Sequence, residues 1–353
     1  MEIGFHIWGG FMSNSKKTIY NLAKELDLAP STISKALNNL PGVSEQKRKM
    51  IVEYAKKVKY VPTSSARTLK AKNTYSIGII YSEKLGIGLE HPFFSPILDS
   101  FKKYVENEGY ELCFISSKLW NFGSSYKEFI ENKKLSGVLI VAGNKDDEML
   151  LDIIKDKDIK VVSTDYINEN VTTVLSDNKE GTFEAIKEIH GSGLRKIGML
   201  FGPSSQFSFN ERKLAFIEAT KKLNLTVKDY WIKETGNYLY SDGYAAMKTM
   251  IEETNGDLPE VMFAVSDMYA LGIIAALKDS GYSVPKDISV VGFDDIEFVK
   301  YCNPSLSTVK QDTKLIGETA AKLLLDMIEK DYYEEEPKIH RIKTRYIKRD
   351  STI

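Results

Sequence analysis

The stretch from Thr18 to Asn38, TIYNLAKELDLAPSTISKALN, decides how the first part of this chain folds. Ile19, Leu22, Ala23 and Leu26 recur at i, i+3, i+4 and i+7, a single apolar stripe at helical period. Ala23 is small enough for a second helix to cross closely. Asp27-Leu28-Ala29 makes the turn, and Pro30 opens the second helix at its first position, where a missing N–H costs nothing. Ile33, Ala36 and Leu37 then face the first helix. The outward set is Ser31, Thr32, Ser34, Lys35 and Asn38, with Thr18 and Pro30 at the two helix starts. Two short amphipathic helices joined by a tight turn form the smallest device that places a helix in the DNA major groove. These side chains are the kind that reach base edges and phosphates from there.

Charge supports that reading. Residues 1 to 72 carry 13 Lys+Arg against 5 Asp+Glu, a net of +8, and the remaining residues carry 35 against 44, a net of −9, giving the overall −1. A basic head supplies phosphate affinity while an acidic body stays off the duplex. Lys-rich helices such as the run from Lys47 to Lys59 are also ordinary solvated faces, so the charge gains its meaning from the helix-turn-helix beside it. At 353 residues the chain exceeds one small core and fits a head plus a larger body. Cys113 and Cys302 have no partner motif, so neither a disulfide nor a metal site is expected, and no cofactor is called for. No apolar run reaches the length of a membrane span, and residues 1 to 15 lack the features of a signal peptide. A cytoplasmic protein with a disordered extension at 1–15 is expected.

After the first two helices, Ser44 can cap a third in which Met50, Ile51, Tyr54, Ala55 and Val58 close a small core, completing a head over 16–61. A hinge at 62–74 follows. Its segment TSSARTLK, from Thr63 to Lys70, is too short and polar to hold as a helix by itself. From Ser76 the pattern changes to β-rich runs alternating with helices: SIGIIY, YELCFI, GVLIV and KVVST, then KIGMLF, VMFAV and ISVVGF. Alternation of this kind implies parallel sheets covered on both faces, and two rounds of it imply two lobes. Ligands in such α/β sheets bind beyond the carboxyl ends of strands, which places a cleft between the lobes.

The run Ala29-Pro30-Ser31-Thr32-Ile33-Ser34-Lys35-Ala36-Leu37-Asn38 resembles the recognition helix of the lactose/galactose-repressor family of bacterial transcription regulators. The resemblance continues through Pro41-Gly42-Val43-Ser44, Tyr60-Val61-Pro62 and Ala66-Arg67-Thr68-Leu69-Lys70, and covers the chain from about Lys16. Asp27 and Ala29 stand where the family usually has Gly and Ser. The resemblance implies a helix-turn-helix head on a two-lobed body similar to periplasmic sugar-binding proteins. It further implies that the stretch Thr63 to Lys70 becomes a helix on the operator, with Leu69 wedged into the minor groove and Ala66, Arg67 and Lys70 beside it. By the same resemblance Phe93, Phe94, Asp165, Arg212, Tyr238 and Asp267 border a small-molecule ligand, with Ser266 where the family has Asn. Gly292-Phe293-Asp294-Asp295 takes a structural role at a strand end. The run Pro304 to Val309 returns the chain to the first lobe, giving lobes over about 75–173 plus 307–337 and about 174–306 plus 338–353.

Each of these residues also has a plain reading: Phe93 or Phe94 as core, Arg212 as an ion-pair partner, Asp165 as a turn cap. Spread over both lobes, the set favours an aromatic-plus-carboxylate carbohydrate site. An enzyme would carry a phosphate loop, a nucleophile elbow or paired metal-ligand histidines. None is present, His6, His91, His190 and His340 are scattered, and Gly86-Ile87-Gly88 is isolated. A free solute-binding protein or a sugar-modifying enzyme would share the body without needing a basic helix-turn-helix. The expectation is therefore a homodimeric transcriptional repressor whose operator affinity is set allosterically by a small molecule, most simply a sugar. Leu69→Ala is expected to weaken specific binding by about 2–4 kcal/mol while sparing non-specific binding, because the unstacked base step is lost and the charges remain. Parallel gel-shift titrations on operator and random duplex read the difference, and equal losses on both would contradict the wedge.

Overall fold

The computed structural model of this chain describes residues 18–37, 41–60, 74–81, 88–115, 125–143, 147–332 and 336–353. The extension 1–15, Asn38 and the hinge residues Ala66, Arg67, Leu69 and Lys70 lie outside them. Two compact units are formed, Met1–Thr74 and Tyr75–Ile353.

In the first unit, helices α1 (Ile19–Leu26), α2 (Pro30–Leu37) and α3 (Glu45–Lys57) pack around Leu22, Ala23, Ile33, Ala36, Ile51 and Ala55. Thr18 caps α1 through a reciprocal pair with Asn21: the Asn21 amide donates to Thr18 Oγ1 at 3.3 Å, and the Thr18 amide donates to Asn21 Oδ1 at 2.7 Å. Asp27 ends α1 in the left-handed region, φ 52° and ψ 46°, the conformation its family counterpart glycine takes without steric cost. Ser44 caps α3. Met50 departs from expectation, since it is 44% exposed while Ile51 is fully buried. Neighbours on a helix point about 100° apart, so only one of the two can face a core this small. Tyr54 is likewise not core, its hydroxyl donating to Glu25 Oε2 at 2.9 Å.

The second unit contains two six-stranded sheets. The first has the order β11-β5-β4-β3-β1-β2, where β1 is Ser76–Tyr81, β2 Glu111–Phe114, β3 Gly137–Val141, β4 Val161–Thr164, β5 Thr172–Ser176 and β11 Ile339–Ile342. All its pairings are parallel. The second has the order β12-β10-β9-β8-β6-β7, from β6 (Ile197–Phe201), β7 (Ile232–Glu234), β8 (Val261–Ala264), β9 (Ser289–Asp294), β10 (Ser307–Lys310) and β12 (Arg345–Ile347). Only β10 with β12 is antiparallel. Runs such as GVLIV and VMFA are buried at every position because helices cover both faces.

Helices α4 (Phe94–Asn107) and α11 (Thr313–Lys330) cover one face of the first sheet, and α5 (Tyr126–Lys133) and α6 (Glu148–Lys155) the other. Phe94, Ile97, Leu98, Phe101 and Val105 form the buried stripe of α4. Helix α11 approaches it so closely that a Cβ on Gly317 would stand 2.4 Å from the Ile97 carbonyl oxygen. In the second lobe α7 (Asn178–Gly191) and α8 (Phe207–Lys222) lie on one face, α9 (Tyr240–Glu253) and α10 (Asp267–Asp279) on the other.

The chain passes between the lobes near 176–178, 310–313 and 342–345. This shifts the expected boundaries. Residues 307–310 belong to the second sheet rather than the first, 339–342 to the first rather than the second, and β5 extends the first lobe to Ser176. The Pro304 to Val309 run therefore ends the second lobe, and the crossing follows it. Replacing Asp27 by Gly is expected to stabilise the head by about 0.5 kcal/mol, since the left-handed position then carries no Cβ penalty. Native-state hydrogen exchange at the Leu22 and Ile33 amides of the full chain measures this.

Candidate functional site

On the head, Ser31 and Lys35 of α2 are exposed, while Pro30, Thr32 and Ser34 are half-buried on the same helix and Thr18 starts α1. The structure thus presents the short polar set from the first two turns of α2. Arg48 of α3 holds the other end of that helix. Its Nη1 donates to the Lys35 and Ala36 carbonyl oxygens, both at 3.3 Å, satisfying acceptors that a helix terminus otherwise leaves open. Nothing in the sequence pattern singled out this arginine.

In the body, a pocket of about 620 Å³ including its mouth opens where the strand ends of both lobes meet. His91, Pro92, Phe93, Phe94 and Asp165 line it from the first lobe, and Ser208, Phe209, Arg212, Tyr238, Ser266 and Asp294 are among its lining residues from the second. Five of the six expected ligand residues, Phe93, Phe94, Asp165, Arg212 and Tyr238, are therefore brought together. Phe93 and Phe94 stack edge-on with centroids 5.1 Å apart, and Phe209 and Tyr238 do so at 4.7 Å, giving the pocket aromatic walls on two sides.

Arg212 is 4% exposed. Its Nε donates to Asn178 Oδ1 at 2.9 Å and its Nη1 to the Val265 carbonyl oxygen at 2.7 Å. The guanidinium lies 3.8 Å from the Phe293 ring centre, and Asp294 Oδ1 is 3.6 Å from Nη1. Among the described residues Nη2 has no protein hydrogen-bond partner, which leaves two N–H donors at the pocket. Asp165 sits at φ 55° beyond β4 and accepts a short hydrogen bond from the Ser208 hydroxyl, so this contact joins the lobes. Burial pushes its carboxyl above the ordinary range. Behind Phe93, Thr164 Oγ1 and Ser176 Oγ are buried without a protein partner among the described residues, lining a small recess.

Asp267 departs from expectation. Its side chain is fully buried behind the pocket, accepting from the Ile296 amide at 2.9 Å and the Thr308 hydroxyl at 2.5 Å, while the neighbouring Ser266 and Met268 reach the pocket wall. A Cβ on Gly292 would meet Asp267 Oδ1 at 2.3 Å, so only glycine admits the carboxyl there. Burial, reinforced by the negative charge of Asp294, pushes Asp267 up to about 8. Asp294, read from sequence as structural, lines the pocket instead. Burial raises it to about 6 against the opposing pull of Arg212 and a 2.6 Å bond from Gln311 Nε2. Asp294, the last residue of β9, could have been found by the strand-end rule, whereas Ser208 and Phe209 lie in the first turn of α8, several residues beyond β6. Asp295 next door is paired with Arg349 at 2.5 Å.

Residues 186–352 match the model of a periplasmic binding protein-like domain. The probable HTH-type transcriptional repressor ExuR of Bacillus subtilis is 30% identical to this chain over 340 residues, covering 95% of this chain and 98% of that protein. The chain belongs to the lactose/galactose-repressor family. As its relatives are, it is a DNA-binding transcriptional repressor of the helix-turn-helix type. The HTH-type transcriptional repressor PurR of Mannheimia succiniciproducens is 29% identical over 333 residues, covering 92% of this chain and 96% of that one. Among solved structures, the Lac repressor dimer bound to operator and the anti-inducer ONPF superposes with a TM-score of 0.80 at 22% identity, covering 96% and 100% of the two chains. The complex of the regulator CelR with cellobiose does so at 0.68 and 24%, covering 95% and 99%. Among the described residues of this repressor no helix is long and apolar enough to cross a membrane.

The buried carboxyls give a signed pH dependence. The folded pKa of Asp267 lies above its ordinary 3.8, so its contribution to stability is complete below about pH 4 and is lost as pH rises towards 8. Asp267→Asn can donate from its amide to Thr308 and accept from the Ile296 amide. The variant should therefore gain on the wild type by on the order of 1 kcal/mol per pH unit across that window. Urea unfolding from pH 5 to 9 checks the slope, and parallel curves would refute it.

Proposed function

We propose that this repressor is a cytoplasmic homodimer without enzymatic turnover, and that its effector is a neutral, hydroxyl-rich ring compound, a carbohydrate or sugar derivative, held by Phe93, Phe94, Asp165, Arg212 and Tyr238. The observation that carries this reading is the pocket's inventory. One guanidinium faces two carboxyls, Asp165 and Asp294, between aromatic walls. A second anion would meet uncompensated carboxylates in a low-dielectric site, whereas ring hydroxyls can accept from Arg212 Nη2 and donate to the acids. Aromatic faces suit the apolar side of a sugar ring. The cellobiose named in the CelR complex accords with this.

In this reading Thr18, Pro30, Ser31, Thr32, Ser34, Lys35 and Asn38 engage the half-site, and Ala66, Arg67, Leu69 and Lys70 of the paired hinges engage its centre. Effector binding draws the lobes together and changes the spacing of the hinges. Because coupling is reciprocal, the factor by which effector changes operator affinity equals the factor by which operator changes effector affinity.

The test begins with a duplex selected from random sequence by the wild-type protein. Fluorescence-anisotropy titrations then compare neutral sugars with uronic acids. At least one neutral carbohydrate should shift operator affinity by roughly tenfold, and a response to anionic compounds alone would overturn the ligand class. Arg212→Lys keeps the charge and loses the fork, so it should weaken the effective sugar by about 10- to 100-fold while ligand-free operator affinity holds.

A further inference from the structure

Glu211 immediately precedes the pocket residue Arg212 on α8, yet its carboxylate bonds across the lobe boundary. It accepts two bonds from Arg341 of β11, Nη2 to Oε1 at 2.6 Å and Nη1 to Oε2 at 3.1 Å. Glu211 belongs to the second lobe and Arg341 to the first. The same Oε2 accepts from Asn178 Nδ2 at 2.8 Å, and Asn178 Oδ1 accepts from Arg212 Nε at 2.9 Å. Asn178 is 1% exposed and stands at the start of α7, directly after one of the three chain crossings. The adjoining crossing is stitched to it: the Asp177 amide donates to the Ile342 carbonyl oxygen at 2.7 Å, and the Thr344 hydroxyl donates to the Asp177 carbonyl oxygen at 2.7 Å.

We propose that the Glu211–Arg341 pair is an interlobe clasp that also positions Arg212, through Asn178, for the effector. It rests on the two-lobed receptor reading above, and its test uses neither effector nor DNA, so either can fail alone. Three features give the pair this role. A bidentate guanidinium–carboxylate pair has one narrow geometry, so it forms only when the lobes stand at a set separation. Asn178 can satisfy Arg212 Nε only while its amide is turned towards both partners, and Glu211 holds that orientation. Finally, the side chains of Arg341 and Glu211 are 35% and 21% exposed. The pair is thus wet enough to break when the lobes part, where a fully buried pair would lock them. Asp177 adds a second negative charge near Arg341, which further holds the cation in place.

Hydrogen–deuterium exchange on the ligand-free full chain tests the clasp. The inner-face segments 162–166 and 206–213 are compared with the lobe cores 137–141 and 261–264. Glu211→Gln and Arg341→Met should each speed exchange of the inner faces by roughly fivefold, the size expected of a partly exposed bidentate pair. The core strands should keep their rates, and the double variant should exceed neither single, because both remove one interaction. About 0.5 M salt should bring the wild type towards the variants. Unchanged inner faces, additive effects in the double variant, or acceleration spread equally through the cores would each overturn the proposal. The last outcome would mark the pair as a global stabiliser and nothing more.

Discussion

A single buried cation organises the body of this repressor. Removing a guanidinium from water costs several kcal/mol, and Arg212 recovers that cost from a ring beneath it, a carbonyl, an amide oxygen and the charge of Asp294. Each compensation imposes the next. Asp294 must be buried beside it, and burial raises its pKa against the pull of Arg212 and of the bond from Gln311. The charge on Asp294 adds to burial in keeping Asp267 protonated well above the ordinary range, and Asp267 in turn needs the space that Gly292 leaves. The second lobe's strand ends are therefore built outward from one side chain, and the pocket inherits two donors that the protein itself leaves unused.

The head follows a different economy. Among the described residues six buried side chains, with partly buried ones such as Leu26 and Val58 packed against them, form a small core for three short helices. Its stability leans on helix ends: the Thr18–Asn21 box, the left-handed Asp27, the Ser44 cap and the two carbonyls taken by Arg48. The end that Arg48 secures belongs to the same helix that carries Ser31 and Lys35, so the last turn of α2 is set by the third helix.

Much of this was legible in the residues, for physical reasons. Period 3.6 located α1 and α2, and continuous apolar runs located the central strands, because burial on both faces leaves no room for polar side chains. The short edge strands β7, β11 and β12 escaped, since edges are half-solvated and their residues, such as Lys233, His340 and Arg345, carry no apolar signature. The crossings were misplaced for the same reason: a strand that ends one lobe looks like one that begins the next. In the pocket, the family resemblance pointed to Asp165 and Arg212 but could not say which way a side chain turns. Asp267 turned inward to the Ile296 amide, and Asp294 beside it lined the pocket instead.

The three passages between the lobes carry a consequence for biosynthesis. The first sheet is complete only when β11 pairs with β5, at a separation of well over one hundred and fifty residues, and the second only when β12 joins β10. Neither half can close while the ribosome still holds the last stretch of polypeptide. Nascent chains of this repressor thus carry an unpaired β5 edge from the midpoint of synthesis until β11 has been made, a state that invites chaperone capture. The head, finished within the first sixty residues, is under no such delay and can be ordered long before the receptor that governs it exists.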